Sequence, residues 1–224
     1  MSNPIERVGV IGAGQMGAGI AEVSARAGVD VLVFETTDAL VTAGRNRITK
    51  SLERGVSAGK VTDREKSAAL AKLSFTTDLA DMADRQLVIE AIIEDVAVKS
   101  KVFAELDEVI TDPDAVLASN TSSIPIMKLG AATQNPGRVL GLHFFNPVPV
   151  LPLVELVGTL VTSDAAIERV ERFAGDVLGK QVVRCSDRSG FVVNALLVPY
   201  LLSAIRMVEA GQLGKKSGQG FYTY

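Results

Sequence analysis

Short apolar runs alternate with longer amphipathic stretches along most of the chain. The runs that are short enough to be strands cover residues 7–11, 29–34, 86–93, 115–118, 138–144, 153–157 and 181–185. A strand that is apolar on both faces is typical of a parallel sheet covered by helices on both sides. Helical patterns lie between the runs, at 18–28, 38–59, 62–73 and 165–178. This alternation predicts an α/β fold with a doubly wound, mostly parallel sheet of about seven or eight strands.

The first predicted strand leads directly into a glycine-rich turn, residues 12–17, which opens the first helix. Gly12 permits a tight turn, Gly14 lets a pyrophosphate approach the backbone, and Gly17 lets the helix pack closely on the strand. The N-terminus of the helix offers free N–H groups and a partial positive charge to phosphates. The pattern predicts a dinucleotide-binding site, although a glycine-rich turn of another α/β protein would look similar.

An acidic residue, Glu35, follows the second predicted strand. An acid at this distance from the glycine-rich turn is placed to bind the two ribose hydroxyls of the adenosine half. Its negative charge would repel a 2′-phosphate. The sequence therefore predicts a preference for NAD over NADP.

The only histidine, His143, ends an apolar run that stops at Asn146-Pro147, and Glu155 lies inside the next apolar run. A buried carboxylate without a partner is costly, so the imidazole on the neighbouring strand is the expected partner. A carboxylate that orients an imidazole and stabilises its protonated form is the arrangement of a general base. The spacing alone equally allows a core histidine and a glutamate that reaches solvent.

Two polar stretches have competing interpretations. Residues 119–123, Ser-Asn-Thr-Ser-Ser, follow a predicted strand, where an open α/β sheet presents its ligand crevice. By itself the run favours an ordinary helix cap ahead of Ile124-Pro125. The helix over 38–59 carries basic residues, among them Lys50 and Arg54. A solvated face is the simpler interpretation, and a docking surface for a phosphorylated substrate is the alternative.

Charge and cysteine content narrow the classes of partner. The net charge is -3 and no basic block is present, which argues against nucleic acid as a partner. The single cysteine, Cys185, excludes an internal disulfide and suits the reducing cytoplasm. The apolar runs are too short to span a membrane, so we expect no membrane association. We assign no metal site.

Together these motifs resemble the L-3-hydroxyacyl-CoA dehydrogenase family, in particular its short-chain 3-hydroxybutyryl-CoA dehydrogenases. The resemblance runs from about residue 7 to 207 and returns over the last dozen residues. It rests on Gly12-Ala13-Gly14-Gln15-Met16-Gly17, Ser119-Asn120-Thr121-Ser122-Ser123, His143-Phe144-Phe145-Asn146-Pro147, Pro152-Leu153-Val154-Glu155-Leu156, Ser189-Gly190-Phe191-Val192-Val193-Asn194 and Gly218-Gln219-Gly220-Phe221-Tyr222. It implies NAD-dependent interconversion of (S)-3-hydroxybutyryl-CoA and acetoacetyl-CoA, a reaction of fatty acid and lipid metabolism.

The resemblance also implies a role for individual residues. His143 would be the general base on the C3 hydroxyl and Glu155 its orienting partner, while Ser122 and Asn194 would hold the substrate carbonyl region. Lys50 and Arg54 would meet the CoA phosphates, which reverses the solvated-face interpretation for these two. The implied cofactor contacts are Gly12, Gly14, Gln15, Met16, Gly17, Glu35, Glu94, Lys99, Asn146 and Lys216.

The chain departs from the family near its end. Residues 205–211 run directly into 212–218, a segment similar to the extreme C-terminus of the family, so most of the intervening helical domain is expected to be missing. We expect an NAD-binding Rossmann domain at 1–186, followed by the remnant of an all-helical C-terminal domain at 187–224. In the family that domain supplies the dimer interface and one wall of the acyl-CoA cleft.

The helix expected at 190–210 is apolar on nearly every side. Such a helix must be buried, yet few residues remain to cover it. We therefore expect a homodimer formed through this helix. Two other functions stay open: an inactive dinucleotide-binding remnant, and a dehydrogenase of small hydroxy acids that uses no CoA.

Overall fold

The structure is a computed structural model that describes residues 4–220 and 222–223. The described residues form one eight-stranded sheet with helices on both faces. The strands are β1 (Arg7–Ile11), β2 (Asp30–Phe34), β3 (Leu73–Thr76), β4 (Leu87–Glu90), β5 (Val116–Ser119), β6 (Val139–Phe144), β7 (Leu153–Gly158) and β8 (Gln181–Ser186). The α-helices are α1 (Gln15–Arg26), α2 (Asp38–Ser57), α3 (Asp63–Leu70), α4 (Val96–Val109), α5 (Ile126–Gly130), α6 (Asp164–Arg172) and α7 (Val193–Glu209).

The strand order is β3-β2-β1-β4-β5-β6-β7-β8, and every neighbouring pair is parallel except β6 and β7. This confirms the doubly wound, mostly parallel sheet. The chain leaves β1 in one direction through β2 and β3, and returns to the other side of β1 with β4. Ligands of open α/β sheets bind at the carboxyl ends of the strands where the order reverses in this way.

Two buried apolar clusters cover the two faces of the sheet. Alternate residues of one strand enter different clusters, as Leu87 and Ile89 enter one while Val88 enters the other. The first cluster includes side chains of α1, α2 and α6, and the second includes side chains of α4 and α5. Successive side chains of a strand point to opposite faces, so the core has one layer on each side of the sheet.

Polar side chains fix where several helices begin. Thr37 accepts the Leu40 amide at the start of α2, and Ser163 accepts the Ala166 amide at the start of α6. Thr62 and Glu65 form a reciprocal capping box at the start of α3. That helix ends at Leu70, before the predicted limit of residue 73, because Leu73–Thr76 pairs with β2 as an edge strand.

The sequence pattern misplaced two other helix boundaries. The helix predicted to end at residue 178 is α-helical over Asp164–Arg172 and continues as a π-helix over Phe173–Val177. The last helix begins at Val193 rather than at residue 190, because Gly190 and Phe191 adopt left-handed backbone angles, with φ of 75° and 50°. None of the described helices is both long and apolar enough to cross a membrane.

Candidate active site

The glycine-rich turn has the geometry of a phosphate cradle. Gly12 has a φ of 94°, and a Cβ there would lie 2.9 Å from the carbonyl oxygen of Ala91. A Cβ on Gly17 would lie 1.8 Å from the carbonyl oxygen of Gly12, so only glycine allows the close packing of helix on turn. A Cβ on Gly14 would meet nothing within 4 Å, which leaves the backbone open to a ligand. No side chain caps the N-terminus of α1, so the geometry fits a dinucleotide pyrophosphate.

Two contacts join this turn to its neighbours. The amide of Ala13 donates to Oε1 of the half-buried Glu35 at 2.6 Å, which holds the carboxylate beside the turn. The side-chain Nε2 of Gln15 donates to Oδ1 of Asn146 at 3.1 Å. Two of the predicted cofactor residues, Glu35 and Asn146, thus contact the glycine-rich turn, to which Gln15 itself belongs. Met16, beside them, is partly buried against the core.

The predicted pair of His143 and Glu155 is present. The two residues lie directly opposite each other across the antiparallel β6–β7 pair, and Nδ1 of His143 is 2.8 Å from Oε2 of Glu155. Glu155 is 0% exposed and His143 is 7% exposed, so the alternative of a glutamate that reaches solvent is wrong. The imidazole ring lies against the rings of Phe145 and Phe191, with centroid distances of 4.5 and 5.7 Å.

The serine-rich loop surrounds a carboxylate instead of capping a helix. Oε1 of Glu94 accepts hydrogen bonds from the hydroxyl of Thr121, the amide of Ser122 at 3.0 Å, and the amide and hydroxyl of Ser123 at 3.1 and 3.0 Å. The cap interpretation is therefore wrong. The first amides of α5 donate to the carboxylate of Asp187, at 2.9 and 2.8 Å.

Asn194, on the first turn of α7, reaches the same loop. Its Nδ2 lies 3.5 Å from the carbonyl oxygen of Ser122, which is the outer limit for a hydrogen bond. The two residues that the resemblance assigns to the substrate carbonyl are therefore neighbours. They come from segments that lie 72 residues apart in the sequence.

A buried ionic network lies beneath the loop. Nζ of Lys99 is 2.6 Å from Oε1 of Glu90 and 3.3 Å from Oε2 of Glu94. Ser119 donates its hydroxyl to Oε2 of Glu90 at 2.6 Å. Sequence reasoning did not single out Glu90, and the available signal was an acid at the end of an apolar strand with a lysine nine residues later. Lys99 is 1% exposed, so its ammonium group is enclosed by the carboxylates.

This network and the loop control the ionisation of Glu94. Partial burial of the carboxyl opposes ionisation, but the hydroxyl of Thr121, the charge of Lys99 and the donors of Ser122 and Ser123 outweigh it. The pKa of Glu94 falls from 4.5 to about 2. At neutral pH the carboxylate of Glu94, beside Ser122, is therefore ionised.

The remaining predicted residues, Lys50, Arg54 and Lys216, are exposed and make no described contact with His143. Lys50 and Arg54 are exposed on α2, and Arg54 lines a groove that Gln15 and Asn146 also line. Lys50 is not among the described residues that line this groove. Lys216 is exposed in the segment after α7, and no described hydrogen bond or ion pair joins it to the glycine-rich turn.

Comparison with known proteins identifies the family. The protein-family model described as 3-hydroxyacyl-CoA dehydrogenase, NAD binding domain, matches residues 7–188 of the sequence. The chain belongs to the 3-hydroxyacyl-CoA dehydrogenase family. Family members with high similarity include a 3-hydroxybutyryl-CoA dehydrogenase of Mycobacterium tuberculosis, which is 79% identical over 94% of this chain and 74% of the relative. The mitochondrial hydroxyacyl-coenzyme A dehydrogenase of Sus scrofa is 41% identical over 95% of this chain and 69% of the relative.

Solved structures of the family share the fold. The crystal structure of Mycobacterium tuberculosis FadB2 has a TM-score of 0.90 and 62% identity, and the match covers 99% of this chain and 100% of that one. The (S)-3-hydroxybutyryl-CoA dehydrogenase PaaH1 of Ralstonia eutropha also has a TM-score of 0.90, with 38% identity over 95% of this chain and 74% of that one. The predicted family, fold class and NAD cofactor are confirmed.

Proposed function

We propose that the chain is an NAD-dependent dehydrogenase that interconverts (S)-3-hydroxybutyryl-CoA and acetoacetyl-CoA. The observation that carries the proposal is the buried pair of His143 and Glu155 near the carboxyl end of β6, on the sheet whose glycine-rich turn fits a dinucleotide. The relatives are named as 3-hydroxybutyryl-CoA and hydroxyacyl-coenzyme A dehydrogenases, which confirms the predicted class of enzyme.

The cofactor and the chain divide the chemistry. NAD, when bound, supplies the hydride acceptor for C3 of the hydroxyacyl group. Gly12, Gly14 and Gly17 would cradle the pyrophosphate, and Glu35 would bind the ribose hydroxyls. The further residues that we propose for cofactor binding, directly or through a neighbour, are Gln15, Met16, Glu94, Lys99, Asn146 and Lys216. Because Lys99 is enclosed, its contribution is to hold Glu94 in place.

His143 would transfer the proton of the C3 hydroxyl. An ionised carboxylate can only accept hydrogen bonds, so Glu155 holds the proton of neutral His143 on Nδ1. This leaves Nε2 with a lone pair for the substrate hydroxyl. When Nε2 takes that proton, the carboxylate of Glu155 stabilises the imidazolium.

The remaining polar groups would position the acyl-CoA. Ser122 and Asn194 lie side by side, which supports a shared role at the substrate carbonyl. Arg54 lines the groove beside Asn146, and Lys50 lies one turn earlier on the same helix face. These two cations are our candidates for the CoA phosphates.

We also propose that the chain works as a homodimer in the cytoplasm. No side chain of α7 is buried in the described structure, and large apolar residues along it are exposed, which supports an association surface. The chain has a single cysteine and so cannot form an internal disulfide, which supports a location in the reducing cytoplasm. The last strand of the sheet ends at Ser186 and the next element is α7, which supports a division into a Rossmann domain at 1–186 and a truncated helical domain at 187–224.

The loss of NADH absorbance after addition of acetoacetyl-CoA tests the proposed function, with free acetoacetate as the matched substrate without CoA. We expect consumption with the thioester and little with the free acid. Faster turnover of the free acid would favour a dehydrogenase of small hydroxy acids. NADH binding without turnover of either substrate would favour the inactive remnant.

A further inference from the structure

Glu155 has a second set of partners besides the histidine. Its Oε1 accepts hydrogen bonds from the amides of Val192 at 2.9 Å and Val193 at 2.8 Å, while Oε2 faces His143 at 2.8 Å. Helix α7 begins at Val193 and its own cap residue, Val192, makes no side-chain cap. The first amides of a helix have no partner within the helix, so Glu155 serves as the cap of α7.

An unusual turn aims these amides at Glu155. Gly190 has a φ of 75°, and Phe191, with a φ of 50°, is the described non-glycine residue with a left-handed backbone. A bulky residue in this region is strained and persists only where its surroundings hold it. The ring of Phe191 packs 5.7 Å from the ring of His143, so the turn contacts both members of the pair.

The rest of α7 makes few attachments to the sheet. None of its side chains is buried, and its described polar contacts with the sheet and its loops are those of the Val193 amide with Glu155 and of Asn194 with the carbonyl oxygen of Ser122. The beginning of the helix is therefore held at the candidate active site itself. Movement of α7 would remove two donors from Glu155, which is 0% exposed. An unsatisfied buried carboxylate oxygen is unfavourable, so the carboxylate would lose its fixed orientation, and the imidazole that it holds would lose its orientation as well.

We propose that Gly190 and Phe191 are positioning residues, whose turn couples the placement of α7 to the orientation of His143 through Glu155. The catalytic consequence rests on the proposed function, whereas the coupling itself does not. A misplacement of about 1 Å at a reacting group lowers turnover on the order of a hundredfold. Any partner that shifts α7 would by this route change the orientation of His143, and with it the ability of the imidazole to accept the substrate proton.

Gly190→Ala tests the coupling, and Gly211→Ala is its matched control. Both glycines have positive φ, of 75° and 72°, and they flank opposite ends of α7. A Cβ at Gly190 would lie 2.9 Å from the amide nitrogen of Ala195, whereas a Cβ at Gly211 would meet nothing within 4 Å. The backbone strain is thus similar in both variants, but only the methyl group added at Gly190 meets the first turn of α7, so only that variant should displace the amides at Glu155.

The imidazole nitrogens of His143 report the result directly, because the chain has one histidine. In ¹⁵N spectra recorded without substrate, we expect the resonances of the wild type and Gly211→Ala to coincide. Gly190→Ala should shift the Nδ1 resonance and populate the second neutral tautomer. In turnover assays it should lower kcat on the order of a hundredfold with little change in NADH affinity.

If Gly190→Ala does not fold, Gly190→Asn imposes the same Cβ contact, and asparagine tolerates the left-handed region better. A folded Gly190 variant with the wild-type spectrum would overturn the coupling, as would an equal shift in Gly211→Ala. A wild type that turns over no acetoacetyl-CoA, together with a shifted spectrum in the Gly190 variant, would refute the proposed function and leave the coupling supported.

Discussion

At the scale of single residues, the loop around Glu94 makes a stability prediction. The pKa of the Glu94 carboxyl group is lowered from 4.5 to about 2 in the folded protein, so the ionised carboxylate stabilises the fold above pH 4.5. This contribution is lost as the pH falls from 4.5 towards 2. Glu94→Gln should therefore flatten the fall in unfolding free energy over that interval, measured by urea titration. Glu105→Gln, at an exposed acid of α4, is the control. Parallel curves for the wild type and Glu94→Gln would contradict the assignment.

The position of the Glu35 carboxylate predicts that the chain prefers NADH to NADPH. It is held beside the glycine-rich turn by the amide of Ala13, where its charge opposes a 2′-phosphate. Dissociation constants measured by fluorescence should show tighter binding of NADH than of NADPH. Glu35→Gln should narrow the difference, because it removes the charge but keeps the size of the side chain. Equal or tighter binding of NADPH by the wild type would refute this role.

The pairing of His143 with Glu155 could be predicted, since neighbouring strands place two polar residues of apolar runs together. The partners of Glu94 could not, because Lys99 reaches it from α4 and Thr121 reaches it from a loop that lies 27 residues later in the chain. The cap of α5 was misread for a similar reason. Its acceptor, Asp187, lies 61 residues beyond the amide of Ile126.

At the scale of elements, long and strongly periodic segments were predicted well. The fully buried strands and the capping box of α3 follow from local sequence. Strand β3 was missed because it has four residues at the edge of the sheet, and its pairing with β2 defines it more than its own pattern does. The start of α7 depends on the left-handed angles of Gly190 and Phe191, which the apolar pattern does not reveal.

The basic face of α2 provides a prediction at the element scale. Lys50 and Arg54 lie four positions apart and therefore share a face of the helix. Lys50→Glu combined with Arg54→Glu should raise the KM for acetoacetyl-CoA and spare the affinity for NADH, most strongly at low salt. Arg64→Glu combined with Lys66→Glu on α3 changes the net charge equally and is the control. An unchanged KM at low salt would return both residues to a solvated face.

At the scale of the whole molecule, α7 decides the oligomeric state. Leu196 is 71% exposed and Tyr200 is 64% exposed, and they lie one turn apart on the helix. We expect light scattering across a dilution series to show a dimer. Leu196→Glu with Tyr200→Glu should weaken it, because association would bury two charges. Leu160→Glu, at a residue that is 97% exposed outside α7, should leave it unchanged. A wild-type monomer at micromolar concentration would contradict the predicted association.

The central claim is that His143, held by Glu155, is the general base of a 3-hydroxyacyl-CoA dehydrogenase. The most direct measurement is the initial rate of NAD reduction with (S)-3-hydroxybutyryl-CoA, for the wild type and His143→Gln under the same conditions. We expect kcat to fall on the order of a hundredfold or more in the variant, with NADH affinity nearly unchanged. Near-normal turnover by His143→Gln would contradict the account, because it would remove the histidine from the mechanism.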